Sequence, residues 1–229
     1  MIPPDGPLTG RRAVLAGGLG VAAIGLVAAA CSASEPAVPA RVTGPSVGAS
    51  SGPGPRRKPL VAFFSRAGEN YYNGGRIDLT LGNTAVVAAL VADLMDVDVY
   101  EIRAADPYSD DYEATVRRNL EEQDADARPS IAGRLPDLAR YDTVLLGSGV
   151  WNVRAPMIMR TFVEALDFTG KTVLPFVTYA VSGMGRVADE YTETLSGTTI
   201  GDGLAVRGEE ASGARGQVEE WLRLNNLIR

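Results

Sequence analysis

The 229-residue sequence has no histidine and a single cysteine, Cys31. Without histidine, Ser-His-Asp and Cys-His catalysis are excluded within the chain, and so are His-ligated metal centres. With one cysteine, neither an intrachain disulfide nor a thiolate cluster can form. Basic residues are also scarce. From Pro59 to Arg229 there are 16 Lys and Arg against 26 Asp and Glu, a formal charge of −10 where the whole chain has −6. Such a surface offers no basic stripe to a phosphodiester backbone, which excludes nucleic acid as a partner and favours cationic ones. Aromatic residues are only 7% of the chain. The remainder, rich in aliphatic residues, Ala and Gly, is ordinary for a globular α/β protein.

The N-terminus gives the lone cysteine a context. Arg11 and Arg12 precede an uncharged apolar run, Ala13–Ala30. This is the basic and apolar order of a secretory signal, and the paired arginines suggest the twin-arginine route, which carries folded proteins. The run ends "LVAAAC", which resembles a bacterial lipobox with Ala28 where a Leu is more usual. Residues 1–31 are therefore read as a signal peptide, with Cys31 the lipidated first residue of an extracytoplasmic, membrane-anchored protein. A retained anchor, a signal cleaved after Ala30 with secretion, and an incidental cysteine remain open. Residues 32–58 are mostly Ala, Pro, Gly, Ser and Val without periodicity, as in a flexible linker. "RRK" at Arg56–Lys58 closes it, either beside anionic headgroups or as a solvated end.

The folded part is expected over 59–229. Apolar runs at Leu60–Ser65, Val97–Ile102, Thr143–Ser148, Thr172–Thr178 and, more weakly, Asp202–Val206 alternate with helical patterns. The helices are expected at Thr84–Met95 (capped by Asn83 or Thr84), Asp110–Gln123, Ala155–Leu166, Gly185–Leu195 and Ser212–Asn225. Val218, Trp221, Leu222 and Leu224 form the inner face of the last. Strand–helix alternation of this kind predicts a parallel sheet with helices on both faces.

Ligands of such sheets bind at the carboxyl ends of the strands, and three of those ends are unusual. After the first strand, Ser65 and Arg66 stand apart from Asn83 and Thr84 across an insertion, Glu69–Leu81. If the insertion folds away, free amides, the helix dipole and two hydroxyls converge on an anion such as a phosphate monoester, to which Arg66 adds charge. Otherwise Asn83 and Thr84 only cap a helix. After the third strand, Ser148 and Gly149 permit close backbone approach, and Trp151 either stacks on a planar ring or anchors the next helix. After the fourth, Tyr179 offers a second ring, and Ser182 and Gly183 offer amides.

The stretches "VAFFSRAGEN", "GNTAVVAALVADL", "DPYSDDY", "PDLARYDTVLLGSGVW", "APMIMRTFVEALDFTGKTVLPFVT" and "SGMG" fall in order across Leu60–Gly185. In these the chain resembles the flavodoxin family, in the branch with a split phosphate loop. The resemblance implies a doubly wound five-stranded parallel sheet of order 2-1-3-4-5 with FMN at its switch point. It also implies that Ser65, Arg66, Ala67, Asn83 and Thr84 bind the FMN phosphate. Gly149, Val150, Trp151 and Asn152 would line the isoalloxazine on one side, and Thr178, Tyr179, Ala180, Ser182 and Gly183 on the other. Three positions depart from the family: Ala67 where Thr is frequent, Asn152 where a second aromatic is usual, and "YAV" where the loop is commonly Gly-rich, so that Val181 crowds the ring. The function implied is electron transfer or oxidoreduction with a redox protein or a small-molecule acceptor, such as a quinone. The alternative is a binding module of this fold that has lost FMN.

Overall fold

The computed structural model describes residues 57–229. The signal segment, Cys31 and the linker up to position 56 lie outside the described residues. Arg57 and Lys58, at the linker's end, meet acidic groups: Lys58 Nζ is 2.8 Å from Asp96 and 3.1 Å from Asp98, and Arg57 is 3.7 Å from Asp142 and also donates to the Ala139 carbonyl at 2.6 Å.

Strand β1 (Leu60–Phe63) is flanked by β4 (Asp98–Glu101) and β5 (Thr143–Gly149), with β6 (Thr172–Tyr179) beyond β5. All pairs are parallel. Two short strands, β7 (Thr199–Ile200) and β8 (Leu204–Arg207), dock in succession on the outer edge of β6. They stand where one fifth strand was expected, and the segment Gly201–Gly203 separates them. Counting them as one, the order is 2-1-3-4-5 as expected.

Side chains alternate along each strand and so feed two cores. Val61, Phe63, Leu145, Leu174 and Phe176 face α1 (Asn83–Leu94) and α5 (Arg215–Leu224). Leu60, Ala62, Leu146, Val173 and Val177 face α3 (Met157–Glu164) and α4 (Val187–Thr194). α2 (Tyr112–Asp124) starts at Asp111, whose carboxylate accepts from the Ala114 amide at 2.6 Å. In α5, Val218, Trp221 and Leu222 are buried, but Leu224 is 68% exposed because it lies past the helix's contact face.

The insertion is regular structure. It is an antiparallel hairpin, β2 (Gly68–Tyr72) and β3 (Gly75–Leu79), turning at Asn73 and Gly74 with φ of 46° and 87°. Positive φ at both turn residues is what Asn-Gly supplies. Glu69 ties the hairpin to the start of α2: its amide donates to the Asp110 carbonyl at 2.8 Å, and its carboxylate accepts from the Tyr112 amide at 3.2 Å.

Candidate functional site

The hairpin leaves the two ends of the split loop in contact. A Cβ on Gly82 would lie 2.3 Å from Ser65 Oγ and 2.4 Å from the Arg66 carbonyl oxygen, so only glycine fits there. Gly82, rather than Asn83 or Thr84, occupies the N-cap of α1 and has no side chain to cap with. The cap comes from across the fold: Ser65 Oγ accepts from the Ala85 amide at 3.1 Å. Having accepted, the hydroxyl keeps its own proton for another partner. Thr84 Oγ1 lies 2.8 Å from Thr178 Oγ1, both buried. Whichever of the two donates, the other retains a free proton. The amides of Asn83 and Thr84, in the first turn, have no intrahelical acceptor. This is a donor set for an anion at the positive end of a helix.

Beyond it a cleft of about 100 Å³ runs along the carboxyl ends of β1, β5 and β6. Of the residues singled out in the sequence, Ser65, Arg66, Asn83 and Thr84 line it from the first end, Gly149, Val150 and Trp151 from the second, and Thr178, Tyr179 and Ala180 from the third. Phe64, Asn70, Tyr71, Tyr112 and Gly208 complete the wall, with no carboxylate among the lining residues. Tyr71 and Asn70 arrive on the hairpin, which "YYNGG" announces. Tyr112 and Gly208 are brought in by tertiary contacts and carry no local signal.

The remaining expected residues sit elsewhere. Ser148 is 1% exposed and faces inward, in step with Val144 and Leu146, with its hydroxyl unpartnered. Ala67 lines a neighbouring hollow with Asp110. Asn152 points to the far side of Trp151, where its amide donates to Gln123 Oε1 at 2.9 Å. Ser182 and Gly183 are outside the cleft, in a loop where the Ser182 carbonyl accepts from the Gly185 amide at 3.1 Å. Val181 is 78% exposed and does not line the cleft.

The ring contacts of Trp151 are with residues outside the next helix. Trp151 lines the cleft, yet its ring is wedged edge-on against Phe64 (centroids 5.6 Å apart) and Tyr108 (5.1 Å). The turn that carries it is strained. Asn152 and Val153 have φ of 50° and 60°, and a β-branched residue is poorly suited to that region. Mutual backbone hydrogen bonds between Trp151 and Arg154, at 2.8 and 3.2 Å, hold the turn closed. Arg154 is ion-paired with Glu190 and does not line the cleft.

Arg66 donates to the carbonyls of Ser109 (2.9 Å), Asp110 (3.2 Å) and Glu69. Burial pushes this guanidinium below its ordinary value, against the pull of Asp110, Tyr112 and Glu69. Its donors thus fix the hairpin to the α2 entry and leave the anion to the hydroxyls and amides. Among the described residues, no group of three or more acidic or thiol side chains is placed to hold a metal.

The flavodoxin family model matches residues 78–225. The chain belongs to the flavodoxin family. Among solved structures it is similar to a candidate flavoprotein from Bacteroides uniformis, at 33% identity and a TM-score of 0.58, over 74% of this chain and 99% of that one. A second, from Bacteroides eggerthii, shares 28% identity at a TM-score of 0.61, over 76% and 100%. A flavoprotein from Lactobacillus acidophilus in complex with FMN shares the fold at 16% identity and a TM-score of 0.52, over 72% and 98%. No curated protein matches the sequence.

Proposed function

We propose that this flavodoxin-family domain binds FMN in the cleft and serves as an electron carrier or flavin oxidoreductase, anchored outside the cytoplasmic membrane through Cys31. The observation that carries the reading is the carboxylate-free cleft whose one end is the α1 N-terminus with the Ser65, Thr84 and Thr178 hydroxyls. The donor set fits a phosphate monoester. FMN in the Lactobacillus relative supports the same ligand. Bound flavin supplies one- and two-electron chemistry. The chain's own groups hold it: hydroxyls and amides take the phosphate, while Trp151, Tyr179 and Tyr71 bound the ring. The net negative charge of the domain disfavours further negative charge on a reduced ring and so lowers its potential. A redox protein or a small-molecule acceptor completes the reaction.

The test is reconstitution with FMN, followed by visible absorption and by fluorescence of Trp221→Phe protein, in which Trp151 is the remaining tryptophan. The expected result is a retained yellow chromophore and saturable quenching. Circular dichroism of a folded chain that retains no FMN would overturn it. One observation favours a second reading, a binding module without flavin. At about 100 Å³ the cleft is smaller than the roughly 300 Å³ at which small-molecule sites begin. On the FMN reading, part of the ring lies outside this enclosed volume, or Trp151 or the hairpin shifts.

A further inference from the structure

The outer strand of the hairpin, β3, is exposed along Gly75–Asp78 and has a strand neighbour, β2, on one side only. The turn decides which of its backbone groups face outward. Across a two-residue Asn-Gly turn the flanking pair, Tyr72 and Gly75, exchanges both ladder hydrogen bonds, and successive pairs then alternate. Tyr71 with Arg76 and Glu69 with Asp78 are therefore the pairs whose N–H and C=O groups point away from each other. On β2 this is visible, because the outward amide of Glu69 reaches the Asp110 carbonyl. On β3 the outward groups of Arg76 and Asp78 have no backbone partner among the described residues.

The side chains of β3 are as one-sided as its hydrogen bonds. Asp78 stands directly opposite Glu69, a like-charge pair at a position where cross-strand side chains are closest, and such pairs are destabilising. No cation of the described residues relieves Asp78. Arg76, two positions away, instead leans over Tyr112, 3.7 Å from the ring centroid, and reaches Glu113 at 3.0 Å. Ile77 lies on the opposite face and is 37% exposed.

A second β3 laid antiparallel along the first can bring the outward groups together in different registers. One sets Arg76 against Arg76 of the copy, and another sets Asp78 against Asp78. Both put like charges face to face. The register centred on Ile77 sets Arg76 against the copy's Asp78 and Asp78 against the copy's Arg76. It satisfies the outward N–H and C=O groups of both residues, supplies the cation that the Glu69–Asp78 pair lacks, and brings the two Ile77 side chains together at the closely spaced position.

We propose that β3 pairs in this register with β3 of a second copy of the chain, joining two hairpins into one four-stranded sheet about a two-fold axis. The contact uses the free side of both strands, so it stops at two copies. Strands of five residues bury less than the roughly 1,000 Å² of a stable interface, and domains of formal −10 repel one another. The dimer is therefore reversible, with a dissociation constant in the micromolar range or weaker. Tyr71 lies opposite Arg76 and lines the cleft, so pairing steadies a cleft wall, but the contact needs no ligand there.

The test uses the full-length Cys31→Ser chain, which has no native thiol, without FMN and at about 0.15 M salt, where charges are screened beyond about 8 Å. Sedimentation equilibrium should give a mass that rises with protein concentration and levels off at twice that of the chain. Asp78→Arg turns both opposite-charge pairs into like-charge ones and should weaken the dimer about 10-fold or more. Arg76→Asp should do the same, and an equimolar mixture of the two variants should recover the dimer, because each strand then meets its opposite. Ile77→Cys should form a disulfide-linked dimer on mild oxidation, since cross-strand Cβ atoms at such a position are about 4.5–5.5 Å apart. Asp78→Cys, as exposed as the first thiol but out of register with its copy, should not. Asp78→Arg and the two thiol variants alter exposed side chains, so they decide the matter even where Arg76→Asp fails to fold. A mass that stays at one chain up to millimolar concentration, equal association of Asp78→Arg, equal cross-linking of the two thiol variants, or growth past two copies would each overturn the proposal.

Discussion

Thr84→Val keeps the shape of a buried side chain and removes one hydroxyl from a pair. Thr84 Oγ1 and Thr178 Oγ1 are 2.8 Å apart, at residues 3% and 7% exposed. The single change strands Thr178 Oγ in a site that water scarcely reaches, at a cost of about 1–3 kcal/mol. Thr84→Val/Thr178→Val removes both partners and should be nearly neutral by comparison, giving a coupling of about 1–2 kcal/mol in a double-mutant cycle. For a domain of this size that cost corresponds to a melting temperature lower by roughly 2–10 °C in the single variant. Binding separates from stability. If the pair's spare proton meets a phosphate, its loss removes a hydrogen bond to a charged group, worth about 1.5–3 kcal/mol. FMN should then bind roughly 10- to 150-fold more weakly to the double variant, while Thr84→Val, whose Thr178 hydroxyl keeps a proton to donate, loses less. Riboflavin, which lacks the phosphate, should bind all of them alike. Thermal denaturation and paired FMN and riboflavin titrations read the two effects. Additive destabilisation in the double variant would refute the coupling, and equal losses for both ligands would refute a phosphate at this place.

Gly147→Ala should destabilise the domain by about 1–3 kcal/mol, because its Cβ would lie 2.1 Å from the Phe176 ring in the packed core; an unchanged melting temperature would show that the ring moves away freely. Val153→Gly should raise stability by about 0.5–1 kcal/mol by relieving left-handed strain at a residue with φ of 60°, and a fall would contradict the strain. Burial pushes the Glu209 carboxyl up, but N–H donors from Asn73 (3.0 Å) and from Glu209 itself outweigh it and hold it below its ordinary value. Its hold on the hairpin turn is therefore full above the unfolded value of about 4.3 and is lost as the pH falls through the lower folded value; proteolysis at Asn73–Gly74 should accelerate there, and Glu209→Gln should show that rate already at neutral pH. Cys31→Ser should move the protein from membrane to soluble fractions or block its processing, and unchanged mass and fractionation would exclude lipidation.

The central strands were legible because runs such as "LVAFF" and "TVLLG" are buried on both faces, which leaves a continuous apolar signature. The fifth was only half legible because Gly201–Gly203 interrupts it, and neither fragment has enough residues to show a period. The hairpin has a local signal, Asn73-Gly74, at the centre of the insertion. The inward turn of Ser148 could have been read from the two-residue period of β5, which runs one residue past it. Other features have no local trace. Ser65 caps a helix that begins 18 residues later, so the position of the cap is a tertiary fact. The wedging of Trp151 depends on Phe64 and Tyr108, which arrive on separate segments.

The broken outer strand has a further consequence, for association between copies of the chain. A sheet edge templates another strand only where it presents a long, flat row of free amides and carbonyls. On one side that row is β4, four residues long, with Asp98 at one end and Glu101 at the other. On the other it is divided into two residues of β7 and four of β8. Neither border offers a register that a second chain could extend, so the open sheet is protected from edge-to-edge polymerisation without a covering helix.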